Sequence, residues 1–242
     1  MKLFKKEKHT NLSLLERLGN RVYFGPFTGL KIPQSVSSIL TTSEILGLYE
    51  SCLHPKFESL LNKEIKNIML IGGNNGYYAA GISCFLNPDS FAIYETEAYF
   101  HPFIKSWFQE NKLQNYAIYG KASEEEFSKI DSKIDLVFMD CEGFEIELLN
   151  PLIFPWQEQT EILAEIHPFY IDNLIATLSN RFRKTHRIEL IYDDFDEDAK
   201  IDKILKGMDL NIPYHKHPSH RWIMENGNKI NTSGIFMYLT PY

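Results

Sequence analysis

The stretch Ile68-Met69-Leu70-Ile71-Gly72-Gly73-Asn74-Asn75-Gly76-Tyr77-Tyr78-Ala79-Ala80-Gly81 sets four apolar residues, a Gly-Asn turn and a small-residue helical pattern in a row. An apolar run of strand length that breaks at glycines and resumes with helical character reads as a strand–turn–helix unit. Gly72 and Gly76 let the backbone bend sharply and approach a ligand closely, and Asn74 and Asn75 tolerate positive φ. The first amides of the following helix suit a carboxylate or a phosphate. The competing reading is a tight turn that serves the fold alone.

Moving outward, short apolar runs alternate with helical patterns after residue 65. The runs are Ile68–Ile71, Phe91–Tyr94, Tyr116–Tyr119, Leu136–Met139, Ile162–Ile166 and Ile188–Tyr192, with helices expected over Gly76–Phe85, Ala98–Glu110 and Tyr170–Asn180. That order predicts an α/β fold with a mostly parallel sheet covered on both faces. A last run, Gly234–Leu239, is expected to add an antiparallel strand at or near the sheet edge. Residues 1–64 read as a helical lid or collar on a main domain of residues 65–242. Leu12, Leu14, Leu15 and Leu18 are expected on one helical face, and Thr41 to Glu44 offers a capping box for a helix over Ile45–Tyr49.

Composition narrows the function classes. The chain has 242 residues, 44% of them hydrophobic, enough for a sizeable core. No run approaches a membrane span and the basic start lacks a secretory apolar segment, so no membrane association is expected. Cys52, Cys84 and Cys141 are too few and too scattered for a disulfide framework, which points to the cytoplasm. With a net charge of −7 and scattered basic residues, no nucleic-acid partner is expected. The acidic run at 193–198 reads as a solvated loop or helix start. His215, His217 and His220 lie among prolines and read as a loop rather than a metal site.

In such a sheet, ligands sit beyond the carboxyl ends of the strands. Those ends carry Gly72–Gly76, then Glu95, then Asp140, Glu142 and Gly143, then Glu165 and His167. A carboxylate at Glu95, on the strand after a Gly-rich turn, is placed to accept hydrogen bonds from ribose hydroxyls. The glycines are spaced G-G-x-x-G, which departs from the dinucleotide pattern G-x-G-x-x-G and disfavours a nicotinamide cofactor. S-adenosylmethionine, with a ribose and a charged amino-acid tail but no phosphate, fits better. Asp140 is expected near the transferable methyl, or else as a helix cap. His167, beside Glu165, is the candidate base, with Asp140 and Glu142 as further catalytic candidates, while Glu145 and Glu147 read as helix-dipole or surface residues. Asp140, Glu142, Glu165 and His167 also have the chemistry to hold a divalent cation, although their spacing does not require one and no metal is assigned. Tyr77 and Tyr78 either pack on the cofactor or serve the core.

Taken together, "IGGNNGYYAAG", "AIYETEAYFHPF", "IDLVFMDCEGFEIELLNP" and "LAEIHPF" resemble the FkbM-type group of class I S-adenosylmethionine-dependent methyltransferases over nearly the whole chain. The resemblance implies a seven-stranded Rossmann-like sheet with an antiparallel last strand. It implies that the Gly72–Gly76 turn, with Gly72, Gly73, Asn74 and Gly76, lies at the cofactor's methionine end and Glu95 at its ribose, and Tyr77 and Thr96 beside them are further cofactor-binding candidates. The motifs do not name a substrate, and the first functional reading is an O-methyltransferase acting on a hydroxyl of a sugar or another small-molecule acceptor. Two positions depart from the pattern: Leu70 and Asn75 stand where related chains often carry an acid. That departure keeps a second reading open, a Rossmann-like nucleoside-binding module without turnover. On these readings Gly72→Val should abolish cofactor binding with little loss of fold.

Overall fold

The computed structural model describes residues 11–168, 173–193, 196–211, 221–225, 228–232 and 234–242. The His215–His220 motif lies outside the described residues. Among those described, no helix is long and apolar enough to cross a membrane.

Residues 11–17 form a helix (α1). It buries Leu14 and Leu15 while Leu12 turns outward, so three of the four leucines face inward rather than all four. The capping box is present: Glu44 N–H donates to Thr41 Oγ1 at 3.2 Å and Thr41 N–H donates to Glu44 Oε2 at 2.6 Å. The helix it starts, α2 (Thr42–Leu46), is shorter than expected because Gly47 enters the left-handed region at φ 72°. Helix α3 (His54–Leu60) follows.

The alternating pattern then appears as β1 (Asn67–Ile71), α4 (Tyr77–Leu86), β2 (Ser90–Tyr94), α5 (His101–Glu110), β3 (Tyr116–Tyr119), α6 (Glu124–Phe127), β4 (Leu136–Met139), α7 (Glu145–Leu148), β5 (Glu161–Glu165), α8 (Leu174–Phe182), β6 (His186–Tyr192) and α9 (Glu197–Gly207). The connection to the last strand holds a hairpin, β7 (Arg221–Glu225) with β8 (Asn228–Thr232). Strand β9 (Ile235–Pro241) ends the chain's secondary structure.

The seven strands lie in the order β3-β2-β1-β4-β5-β9-β6. Strands β1 to β5 pair in parallel, while β9 runs antiparallel to both β5 and β6. β9 is therefore one strand in from the edge, and β6 forms the edge. Strand order reverses between β1 and β4, so the crevice that such a topology opens for a ligand lies at their carboxyl ends.

Each face of the sheet has its own core. Leu70 lies in register between Ile93 and Phe138 and shares one core with Phe27, Phe57, Tyr77 and Trp107. Ile71 faces the other, with Tyr94, Met139 and Phe154. The small residues of α4 have a packing reason. A Cβ on Gly81 would lie 2.4 Å from the Phe27 ring, so Gly81 lets this ring of the N-terminal segment seat directly on the helix. The ring also meets Phe57 and Tyr77 edge-on, at 5.2 and 5.5 Å between centroids.

Candidate functional site at the carboxyl ends of the strands

The Gly72–Gly76 turn is tied to its surroundings through its amides. Gly72 and Gly73 N–H donate to Tyr94 O at 2.9 and 3.1 Å, Asn74 N–H donates to Glu95 Oε2 at 2.6 Å, and Gly76 N–H donates to Gly73 O at 3.0 Å. Tyr77 N–H donates to Asn75 Oδ1 at 3.0 Å. The expectation that open helix-start amides await an anion is therefore corrected at these five positions, where the protein itself supplies the acceptors. Asn75 is committed twice, since its Nδ2 donates to the buried Glu44 Oε1 at 2.6 Å. An acid at this position would lose that bond and face Glu44 as a like charge.

The glycines also answer to packing. A Cβ on Gly72, at φ 92°, would sit 1.7 Å from the backbone oxygen of Asp140, and one on Gly73 would meet Ile104, Ile93 and Glu95. On Gly76 it would lie 2.7 Å from Trp107. The expectation that Gly72→Val spares the fold does not survive this contact, because the branched side chain would push β1 and β4 apart.

Glu95 is buried at the end of β2, where Oε2 accepts from Asn74 N–H and Oε1 from Glu97 N–H at 2.7 Å. A carboxylate has about four acceptor sites, so the two backbone bonds orient it and leave capacity for a ligand's hydroxyls. A cavity of about 400 Å³ opens beside it, within the roughly 300–1,000 Å³ of ordinary ligand sites. Gly72, Asn74, Glu95, Thr96, Asp140 and Glu142 line it together with an apolar side made by Ala122, Phe144 and Leu148. Lys121 Nζ lies 4.0 Å from the Phe144 ring centroid at this wall. Gly73, Gly76 and Tyr77 do not line the cavity. The Tyr77 ring is buried against Phe27, Tyr49 and Trp107, so of the two roles weighed for it the core one describes its side chain.

A smaller cavity of about 140 Å³ adjoins the first and shares Asn74, Asp140 and Glu142 with it. Its other walls are Tyr49, Glu50, Glu165, His167, Asp193, Glu197 and Gly234. Asp140 hangs from β4, its N–H donating to Ile71 O at 2.8 Å, and burial pushes its carboxyl up to about 6 against the opposing pull of His167. Burial also lifts Glu50 to about 8 and Glu197 to about 7. Glu50 sits at φ 48°, an uncommon conformation for a non-glycine residue, and accepts a short hydrogen bond from the Tyr78 hydroxyl.

His167 ends the β5 loop with its side chain enclosed. Its Nδ1 lies 2.8 Å from Glu145 Oε1, and its Nε2 lies 3.7 Å from Asp140, 3.6 Å from Glu142 and 3.8 Å from Glu165. Burial lowers the affinity of the ring for a proton, but the Glu145 hydrogen bond and the surrounding carboxylates outweigh it and leave the pKa raised. The ring is thus more fully protonated near neutrality than a free histidine, which restricts the simple base role expected for it.

Glu145 is the residue that sequence reasoning misplaced. It is wholly buried, not a surface acid, and Oε1 gathers Gly143 N–H at 3.1 Å, the Cys141 thiol at 3.5 Å and the His167 ring. Glu142 and Gly143, at φ 52° and 107°, turn the chain back so that this carboxylate points under its own loop. Helical periodicity over four residues carried no signal for that reversal. Glu50 was missed as well, because it enters the site from the N-terminal segment, far from the strand ends.

No protein-family model matches this chain, and no curated protein does. Solved structures do match. An rRNA methylase from Streptococcus thermophilus is similar over 78% of this chain and 96% of its own, with a TM-score of 0.51 at 9% identity. A precorrin-6y C5,15-methyltransferase from Geobacter metallireducens is similar over 78% of this chain and 87% of its own, with a TM-score of 0.49 at 10% identity. At 9% identity the likeness to the rRNA methylase is one of architecture, and with the strand order above it establishes that the chain has the Rossmann-like fold of the class I methyltransferases.

Proposed function

We propose that this protein is an S-adenosylmethionine-dependent methyltransferase of FkbM type that methylates a hydroxyl of a sugar or another small metabolite. The observation that carries the reading is the pair of adjoining cavities at the strand-order reversal, which share Asn74, Asp140 and Glu142. The larger suits an adenosine: Glu95 offers a fixed carboxylate to the ribose and Phe144, Ala122 and Leu148 offer an apolar wall to the base. The smaller then receives the acceptor.

S-adenosylmethionine, when bound, supplies an electrophilic methyl group on a positively charged sulfur. This chain's part is to align the acceptor oxygen with that carbon, to keep water out, and to take the hydroxyl proton into the Asp140, Glu142 and His167 cluster. Carboxyl groups from other elements, Asp193, Glu197 and Glu50, line the smaller cavity beside Asn74, and a cationic ammonium group there would favour the ionised forms that burial disfavours in Glu50 and Glu197. That supports a working enzyme over a module without turnover. The same acidic walls disfavour a phosphate backbone as acceptor and favour a small molecule. A cytoplasmic location is part of the same reading, in keeping with three free cysteines.

The test is transfer from methyl-labelled S-adenosylmethionine to a panel of sugars and hydroxylated metabolites. The reading expects label in at least one acceptor and a turnover about a hundredfold to ten-thousandfold lower in His167→Ala. Cofactor binding with no transfer to any hydroxyl compound would favour the non-catalytic module.

A further inference from the structure

We infer that Asp140, Glu165 and His167 form a binding centre for a divalent cation of the magnesium or manganese class. One ligand atom from each of the three lies within 4.8 Å of the others. His167 Nε2 stands 3.7 Å from Asp140 Oδ1 and 3.8 Å from Glu165 Oε1, too far for a good hydrogen bond. Ligands about 2.1 Å from one octahedral ion are themselves about 3 to 4.2 Å apart, so these separations suit a shared cation. Asp140 Oδ1 supplies an independent sign. It is completely enclosed, yet among the described residues it has no hydrogen-bond partner. An enclosed carboxylate oxygen without a hydrogen bond is costly, and the His167 ring at 3.7 Å is too distant to donate one.

The donor set has the right chemistry and support. Two carboxylates and one imidazole suit a hard to borderline divalent ion, with positions left for water or an acceptor oxygen. Glu145 Oε1, 2.8 Å from Nδ1, holds the ring so that Nε2 is the atom facing the two carboxylates, the arrangement by which outer carboxylates orient metal-binding histidines. Asp140 lines both cavities, so a cation here lies where cofactor and acceptor would meet. Its task, holding the acceptor oxygen, rests on the methyltransferase reading; its binding does not.

The experiment is a manganese titration of the full-length protein without cofactor, followed by electron paramagnetic resonance of the free ion. The expected result is saturable uptake at one site, displaced by excess magnesium. Glu165→Gln and His167→Gln, checked for native near-ultraviolet dichroism, should weaken it at least about tenfold, and Glu145→Gln by about 10- to 100-fold. Glu125→Gln, at an exposed pair with Lys129 on α6, should leave it unchanged. If a ligand variant does not fold, the wild-type imidazole resonances decide: manganese should broaden those of His167 at the lowest additions and those of His186, at the opposite end of the sheet beside Thr160, least. No saturable uptake, equal affinity in the folded ligand variants, or broadening confined to other histidines overturns the proposal. Manganese binding without S-adenosylhomocysteine binding would leave the centre standing and remove the methyltransferase reading; the reverse would do the opposite.

Discussion

Glu145 Oε1 and His167 Nδ1 lie 2.8 Å apart, joining the loop after β4 to the end of β5 beneath the candidate site. Glu145 is fully buried, and the same oxygen accepts from Gly143 N–H. Glu145→Ala would strand both donors and leave a void, at a cost of about 3 kcal/mol. Glu145→Gln, which keeps one acceptor oxygen, should cost less. Urea denaturation at neutral pH measures both, and a loss below about 1 kcal/mol in Glu145→Ala would show that the bond does not hold the loop.

Gly72 is expected to be intolerant for a reason internal to the fold. Gly72→Ala places a methyl 1.7 Å from Asp140 O at a φ of 92°, so strand separation and backbone strain add, with a combined cost of about 3 kcal/mol or more. The thermal midpoint of the variant checks this. A midpoint within 2 or so degrees of wild type would mean that β1 and β4 relax apart freely.

The site's geometry was less readable in the sequence than its address. The strand runs and their polar ends were legible because period, length and glycine punctuation are local properties, and the turn, Glu95, Asp140 and His167 all fall where β1, β2, β4 and β5 end. The insertion of β9 between β5 and β6 was legible only in part, since pairing partners of a terminal strand are set by distant contacts. Glu145 and Glu50 were not legible. One depends on two consecutive left-handed residues that reverse a loop, the other on the N-terminal segment packing over α4 through Phe27 and Gly81. The role of the turn amides also escaped notice, because their acceptors, Tyr94 O and the Glu95 carboxylate, come from the next strand.

Stability should depend on pH through Glu50 and His54 with opposite signs. Burial raises Glu50 from 4.5 to about 8, so the unfolded chain loses its proton first and stability falls as pH rises from about 4.5 to about 8. The share of this group is on the order of 3 kcal/mol, and Glu50→Gln should remove it and be the more stable protein at pH 8. Denaturant midpoints across that range decide, and parallel curves for the two proteins would refute the assignment.

His54 works from the acid side. Burial lowers it from 6.5 to about 4, so protonation favours the unfolded chain and stability falls as pH drops from about 6.5 towards 4. The group is partly exposed, which limits its share to about 1–2 kcal/mol after solvent screening. His54→Gln should flatten the curve between those values. An unchanged slope in the variant would assign the acid sensitivity to other groups.

The central claim, that the Glu95-lined cavity holds the adenosyl cofactor, is tested most directly by calorimetric titration with S-adenosylhomocysteine. One site per chain is predicted for the wild type. Glu95→Ala should weaken it about tenfold or more, the value of a charge-assisted hydrogen bond to the ribose. Because Glu95 also holds the Asn74 and Glu97 amides, the variant is compared at a temperature where dichroism shows it folded. No binding heat with the wild type, or equal affinity in the folded variant, would contradict the account.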